Sequence, residues 1–354
     1  MTASSLKPEP FRIEPIFSPR IWGARSLAPL FPEKTNLREP LGEAWLTGVD
    51  CKIATGPFAG RSLGAAWHEM PVEWRGSTLK AVKDFPLLAK FIFPTDKLSI
   101  QVHPDDTYAA VHEKAAGGRG KTEMWHVVSA EPGAHLLAGL KPGATKEKFL
   151  ESLAAHTLED LLQTHHVHAG DTFYIPAGTP HTIGANMIVC EVQEYSDLTY
   201  RVFDYDRVDA HGKPRELHIE KALEVIHFGY SHGGKVPPLD LGASQQHAKL
   251  LCACRYFAAE KLEFSERCEF AGDSAHFQLL IILAGRGNLG WPASAARYAA
   301  GECWLLPASL DLAALHPLQP TTVLRAYVPD VPELSRQLHD TGLSASAISH
   351  SVFA

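Results

Sequence analysis

GDTFYIPAGTPH, residues 170–181, reads G-x5-P-x-G-x2-H. Glycines bracket a run of Thr, Phe, Tyr and Ile, residue types that suit a pleated, half-buried surface, and Pro176 ends the ladder because it has no N–H to donate. The segment is therefore a strand that runs into a proline-led turn and delivers His181 beyond it. GECWLLPAS at 301–309 opens with the same G-x5-P at an offset of 131, again with an acidic residue after the glycine and a hydrophobic strand before the proline. Repetition of a pattern at a fixed offset marks two similar β units. The residue five beyond the proline is His181 in the first repeat and Leu312 in the second. The histidine therefore sets the N-terminal unit apart from the C-terminal one.

The rest of the chain bounds what such units do. At 354 residues it is too long for one ordinary core and suits two or three packed units that share an interface. A net charge of −7 without a basic cluster leaves no electrostatic footprint for nucleic acid or an anionic membrane, so a small molecule is the expected partner. The N-terminus, MTASSLKPEPFRIEPIF, has no apolar h-region, and the longest apolar run, FQLLIILAG at 277–285, is too short to span a bilayer. The expected compartment is the cytoplasm. Cys51, Cys190, Cys252, Cys254, Cys268 and Cys303 do not make a disulfide framework in a chain of this size and read as reduced, buried thiols. Among nineteen histidines, His68, His112, His135, His156, His218 and His227 sit singly in helix-like or strand-like contexts, where structural roles far outnumber ligation. Spacing, and not abundance, selects the functional ones.

Short strands separated by Gly- and Pro-rich turns recur along the chain, which argues for barrels or sandwiches and against a doubly wound sheet. FRIEPIF, GEAWLTG and CKIATGPFAGRSL are expected strands between residues 11 and 67, followed by a helix at about 64–82. PLLAKFIFP and KLSIQVH read as buried strands, and DDTYAAVHEKAAGG as a short helix with acidic residues in its first turn and Gly117-Gly118 at its end. Further strands are expected at 122–129, 134–140, 170–176 and 187–194. TKEKFLESLAAHTLEDLLQ at 145–163 has apolar residues at helical spacing and interrupts the β pattern. A helical segment at about 215–227 precedes a β-rich region at 247–330, and the tail after Val331 is mixed.

In KLSIQVHPDD, residues 97–106, the period-2 alternation of a strand puts Ser99, Gln101 and His103 on one face. The spacing from Gly170 to His181 resembles the second signature motif of the cupins, small β-barrels whose motif histidine points inward to a metal. The asparagine often found four residues after that histidine stands at five here, as Asn186. A cupin's first motif usually supplies H-x-H and then Glu. This chain has Gln101-Val-His103 and, after an insertion, Glu123 in GKTEMWHV. The resemblance implies His103, Glu123 and His181 as metal ligands, with the Gln101 amide as a fourth ligand or as a holder of substrate or water. Two imidazoles and a carboxylate suit one zinc-like divalent ion per chain, with room for substrate oxygens. His126, three residues from Glu123, faces away in a strand and reads as structural.

LSIQVHPDD, GKTEMWHV, GDTFYIPAGTPH and EVQEYSDLTYRVFDYDR at 191–207 together resemble the type I phosphomannose isomerase (mannose-6-phosphate isomerase) family in its short bacterial form. IWGARSL and PLGEAWLTG, with Trp22, Gly23, Gly42, Glu43 and Trp45, fit the same family. The resemblance spans about residues 11–330 and is dense between 86 and 207. It implies a mainly β chain with helical insertions, built as two cupin-like β-barrel or jelly-roll units. The catalytic unit is expected over 1–246 with a helical insertion at about 142–165, and the metal-free unit over 247–354 with a C-terminal tail. The implied reaction is zinc-dependent interconversion of mannose 6-phosphate and fructose 6-phosphate through an enediol or enediolate, with a sugar phosphate as the partner of a monomer or homodimer.

Residue by residue, Arg201 matches the family's catalytic arginine. Its alternative role is a structural ion pair with Asp197, Asp204 or Asp206. Lys121 matches a substrate-site lysine that becomes an acid/base if desolvation lowers its pKa, and is otherwise a solvated loop residue. Glu191 matches a pocket glutamate that serves as base or orients the substrate, on a strand whose Ile188, Cys190 and Val192 look core-facing. Ser99 and Lys90 are candidate phosphate contacts, with strand-end roles as the alternative. Some longer family members have a histidine immediately before the lysine, whereas Gly120 stands there in this chain. A mechanism that relies on that histidine does not carry over. Two other readings compete: a cupin oxygenase in which the same ligands hold iron, and a sugar-phosphate-binding cupin without turnover. Lys121 and Arg201 suit an anionic sugar better than O2 chemistry.

Overall fold

In a computed structural model, which describes residues 7–208, 211–229, 233–242 and 248–353, the motif strand forms as Thr172–Ile175. It belongs to a seven-stranded antiparallel sheet ordered Gly234–Val236, Thr172–Ile175, Glu123–Ala130, Met187–Glu194, Leu87–Ile92, Leu41–Trp45, Ile16–Ala24. A five-stranded sheet, ordered Tyr200–Phe203, Ile100–Val102, His181–Ile183, His135–Leu140, Leu162–His166, packs on it. Trp125, Val127 and Phe173 from the first sheet meet Leu136, Ala138 and Ile183 from the second in a common apolar layer.

The C-terminal half repeats this plan, with no counterpart of the edge strand Tyr200–Phe203. Seven strands ordered Phe11–Ile13, Cys303–Leu306, Gln278–Ala284, Thr321–Tyr327, Ala258–Phe264, Lys249–Ala253, Leu239–Asp240 pack on four ordered Cys268–Ala271, Leu312–Pro317, Arg286–Trp291, Ser294–Ala299. The repeat seen in the two G-x5-P segments is therefore a repeat of topology. One member of the C-terminal sheet, Phe11–Ile13, comes from the start of the chain and pairs with Cys303–Leu306. The boundary expected between residues 246 and 247 lies outside the described residues.

The two seven-stranded sheets share a core. Phe91, Cys190 and Val192 from one and Ile281, Leu305 and Leu324 from the other lie in a single buried cluster. All six cysteines are free and buried. Among the described residues no helix is long and apolar enough to cross a membrane.

Glycine geometry explains the motif. Gly170 and Gly178 have φ of +93° and +80°, a region that disfavours any side chain. A Cβ on Gly178 would also lie 2.7 Å from the ring of His227. The chain thus turns sharply on either side of the strand.

Two local expectations are corrected. The helix expected at 64–82 is broken into Leu63–Glu69, Val72–Arg75 and a 3-10 turn, Ser77–Leu79. Pro71 bars the preceding residue from the helical region, and Gly76 at φ 96° ends the second piece. CKIATGPFAGRSL forms only isolated bridges at Lys52 and Ile53, because Gly56 and Gly60 turn the backbone at positive φ. The insertion forms as Lys146–Ala154 and the 3-10 turn Leu158–Leu161, with Phe149 and Leu158 buried against the outer side of the five-stranded sheet. Asp106–His112, capped by the Asp105 side chain, carries the chain from His103 round to Lys121.

Candidate metal centre and its cavity

Strand pairing brings the candidate ligands together. Gln101 stands directly opposite His181 in the five-stranded sheet, and Arg201 stands opposite Gln101 on its other side. Glu123 starts an inner strand of the facing sheet, between Ile175 and Gln193. His103, Glu123 and His181 are all buried, and one ligand atom from each lies within 4.8 Å of the others. Glu123 Oε1 is 3.2 Å from His181 Nε2 and 3.7 Å from His103 Nε2.

The far side of each imidazole is fixed. His103 Nδ1 lies 2.8 Å from the Leu198 carbonyl oxygen and His181 Nδ1 lies 2.9 Å from that of Thr179. A carbonyl only accepts, so each Nδ1 carries the proton and each Nε2 turns its lone pair toward Glu123. Burial, with Lys121 nearby, pushes the His103 pKa down to about 3, and burial lowers that of His181 as well. Both rings are therefore neutral donors. Burial alone would raise Glu123, but the Lys121 ammonium, with Nζ 2.8 Å from Oε2, holds it well below the usual carboxylate range.

His103 Nε2 is buried with no hydrogen-bond partner. An orphaned buried nitrogen is unfavourable by about 1–3 kcal/mol. Coordination of a cation would satisfy it, and the N, N, O donor set fits a zinc-like ion. Gln101 presents its amide nitrogen 3.2 Å from His181 Nε2, so a half-turn of the amide would bring its oxygen to the same place.

The centre adjoins a cavity of about 460 Å³ whose lining includes Ser99, Gln101, Lys121, Glu191 and Arg201. Arg20, Lys90, Lys121, Arg201 and Arg215 face Glu43, Glu191 and Asp197 there, an excess of positive charge suited to an anionic ligand. Glu191 lies opposite both Lys90 and Trp125 in register. Lys90 Nζ is 3.1 Å from its Oε1, and Trp125 Nε1 donates to its Oε2 at 2.9 Å. Burial and the Glu123 charge raise the Glu191 pKa. Burial would lower that of Lys90, but Glu191, Glu43 and Asp197 together raise it, so Lys90 stays a cation.

Arg201 does not take the structural ion pairs open to it. Asp204 is bound by Arg207 and Arg215, Asp197 lies nearest Lys90, and Asp206 pairs with His156. The Arg201 guanidinium donates one bond, from Nη1 to the Glu216 carbonyl at 2.9 Å, and its buried Nε has no partner. His218, which reads as a lone structural histidine, holds the Arg201 backbone: its N–H donates to the Arg201 carbonyl at 2.8 Å. Arg20 and Arg215 were not legible as site residues, since no motif surrounds them. Arg20 reaches the cavity from an edge strand, steadied by Glu43 at 2.7 Å. His126 faces away from the centre, with Nδ1 3.0 Å from Thr172 Oγ1.

Fold and site together define a mainly β protein of two similar sandwich units, with a buried His-Glu-His cluster that opens on a cationic cavity. A mannose 6-phosphate isomerase of Bacillus subtilis has this fold in its crystal structure: the TM-score is 0.81 at 28% identity, over 90% of this chain and 99% of that one. A putative mannosephosphate isomerase from Archaeoglobus fulgidus, with a TM-score of 0.72 at 21% identity, covers 92% of this chain and 99% of its own. Among curated proteins, the probable mannose-6-phosphate isomerase GmuF of Bacillus subtilis is 33% identical over 84% of this chain and 93% of its own length. The mannose-6-phosphate isomerase of Streptococcus mutans is 34% identical over 79% of this chain and 87% of its own. No family model matches the chain. The chain belongs to the mannose-6-phosphate isomerase family.

Proposed function

We propose that this chain interconverts mannose 6-phosphate and fructose 6-phosphate, with zinc held by His103, Glu123 and His181 and with Gln101 as fourth ligand or substrate holder. The observation that carries the reading is the orphaned His103 Nε2 within a buried N, N, O donor set that adjoins a cation-rich cavity. The catalytic unit lies within residues 1–246, whose strands Phe11–Ile13 and Leu239–Asp240 join the sheet of the second unit, and the enzyme works in the cytoplasm.

In the open-chain aldose, the C2–H bond breaks and its electron pair forms the C1=C2 double bond of an enediol while O1 gains a proton. The ketose forms when C1 takes up a proton and O2 loses one. When bound, the metal supplies Lewis-acid stabilisation of the negative charge that develops at these oxygens, an effect of several kcal/mol. Glu191 takes the C2 proton and returns it to C1. Its raised pKa brings the carboxyl nearer to working pH, as a group that must act as both base and acid requires. Lys90 and Trp125 hold its two oxygens in place. Lys121 and Arg201 supply fixed positive charge beside the developing enediolate, and the free Nε of Arg201 is a donor with no competing partner. Ser99 and Lys90 contact the phosphate.

A coupled assay with mannose 6-phosphate on zinc-loaded protein tests the reading. Turnover should vanish on chelation and return with zinc. Full activity of the metal-free protein overturns the zinc assignment. Stoichiometric iron with O2-dependent turnover would point instead to an oxygenase.

A further inference from the structure

The second unit has its own cavity, of about 630 Å³, and strand register places it where the metal centre lies in the first. Glu123 pairs with Ile175, and Gln278 pairs with Leu306, the residue 131 positions later. Gln278 therefore occupies the Glu123 position. His181 pairs with Gln101 and Leu312 with Ala271, so Asp273, two beyond Ala271, takes the place of His103. His276 lies two before Gln278, as Lys121 does before Glu123. The ion pair of Lys90 with Glu191 recurs with its signs exchanged, as Glu260 opposite Arg325.

The floor of this second cavity is not merely packing. Gln278 is only 6% exposed and donates from Nε2 to the Ala271 carbonyl at 3.1 Å, which fixes the amide and leaves Oε1 buried with no partner. His276 Nδ1 lies 2.5 Å from Asp273 Oδ2, which places a proton on Nδ1, so in the neutral ring the buried Nε2, also without a partner, is an acceptor. The first unit anchors this loop: Thr78 Oγ1 donates to the Ala275 carbonyl at 2.8 Å. Two buried polar atoms without partners on the lining of one cavity call for a ligand that brings hydroxyl groups. Leu312 in place of His181 removes a metal ligand. The charges at the floor are already matched, since Glu260 accepts from Arg325 and from Tyr327. Exposed Glu269 and Asp330 line the mouth and disfavour anions, and Leu262 and Leu334 offer an apolar wall for C–H faces.

We propose that the cavity of the C-terminal unit is a metal-independent binding site for an uncharged polyol of monosaccharide size, with Gln278 and His276 accepting from its hydroxyls. The site excludes the phosphorylated sugars that the cationic cavity of the first unit suits.

Calorimetric titration of the zinc-loaded full chain with mannose, fructose and mannitol tests this, with mannose 6-phosphate as the anionic control. At least one uncharged ligand should bind, and binding should survive chelation, saturation with mannose 6-phosphate, and Arg201→Ala. Gln278→Leu should weaken it about tenfold, the loss of one hydrogen bond. Ala271→Trp, which fills the cavity from an exposed position, should abolish it. Both variants should keep wild-type isomerase turnover, which also reports that they are folded. Absence of binding by all three ligands overturns the proposal, as does binding that is lost on chelation or that Ala271→Trp leaves intact. Preference for a phosphorylated sugar or an amine at this site overturns it equally.

Discussion

His103 and His181 are prepared for a metal from behind. Each gives its Nδ1 proton to a backbone carbonyl, and burial keeps both rings neutral, so no proton has to leave before an ion binds. His181→Ala should therefore lose stoichiometric zinc, measured on purified protein, and lower turnover by about 4 kcal/mol of barrier, roughly a thousandfold. Glu191 separates from this group because its two oxygens are held by Lys90 and Trp125. Glu191→Gln keeps the size and loses the proton-carrying oxygen. It should retain zinc, lower kcat by about two to four orders of magnitude, and stop exchange of the C2 hydrogen with deuterated solvent. Continued exchange at the wild-type rate would assign the proton to another group, with Lys121 the next in line.

At the scale of the element, the motif strand depends on its two glycines for different reasons. A Cβ at Gly170 meets nothing within 4 Å, so Gly170→Ala should cost only the backbone strain of a positive φ, about 1–2 kcal/mol. At Gly178 the same change also drives a methyl group against the His227 ring, and a further ~1–3 kcal/mol is expected. Denaturant midpoints of the two variants should fall in that order. This strand was legible in the sequence because φ sign, proline and strand period each leave a residue-level mark. Gln101 and His103 were legible for the same reason, as period 2 alone sets the face they share. Arg20 and Arg215 were not, because an arginine is long enough to reach a cavity from an edge or a loop with no periodic signal. Apolar spacing runs on through 64–82 and reads as one helix, but the backbone limits of Pro71 and Gly76 break it. The polar floor of the second cavity leaves no mark in the sequence, because Gln278 and His276 belong to no motif and Leu312 stands where the first unit has His181.

Across the whole molecule, the two seven-stranded sheets bury one apolar layer between them, and the strand Phe11–Ile13 crosses from the N-terminal end of the chain into the C-terminal sheet. Neither unit can leave the other without exposing that layer. His126 belongs to this arrangement: it lies on the same strand face as Met124, away from the metal centre, and burial together with Lys261 of the second sheet holds its pKa down to about 4. The unfolded chain would bind a proton there at the ordinary value near 6.5, while the folded chain would not. Stability from this residue is therefore fully present above about pH 6.5, declines as pH falls, and is lost by about pH 4. At about pH 5 the deficit should be near 2 kcal/mol relative to about pH 8. Chemical denaturation of zinc-loaded protein at both pH values measures it, the metal keeping His103 and His181 from adding their own protonation. His126→Leu should remove this part of the pH dependence while losing the Thr172 contact at both. An equal drop in the variant would place the acid sensitivity elsewhere, and a single cooperative transition throughout would show that the two units stand or fall as one.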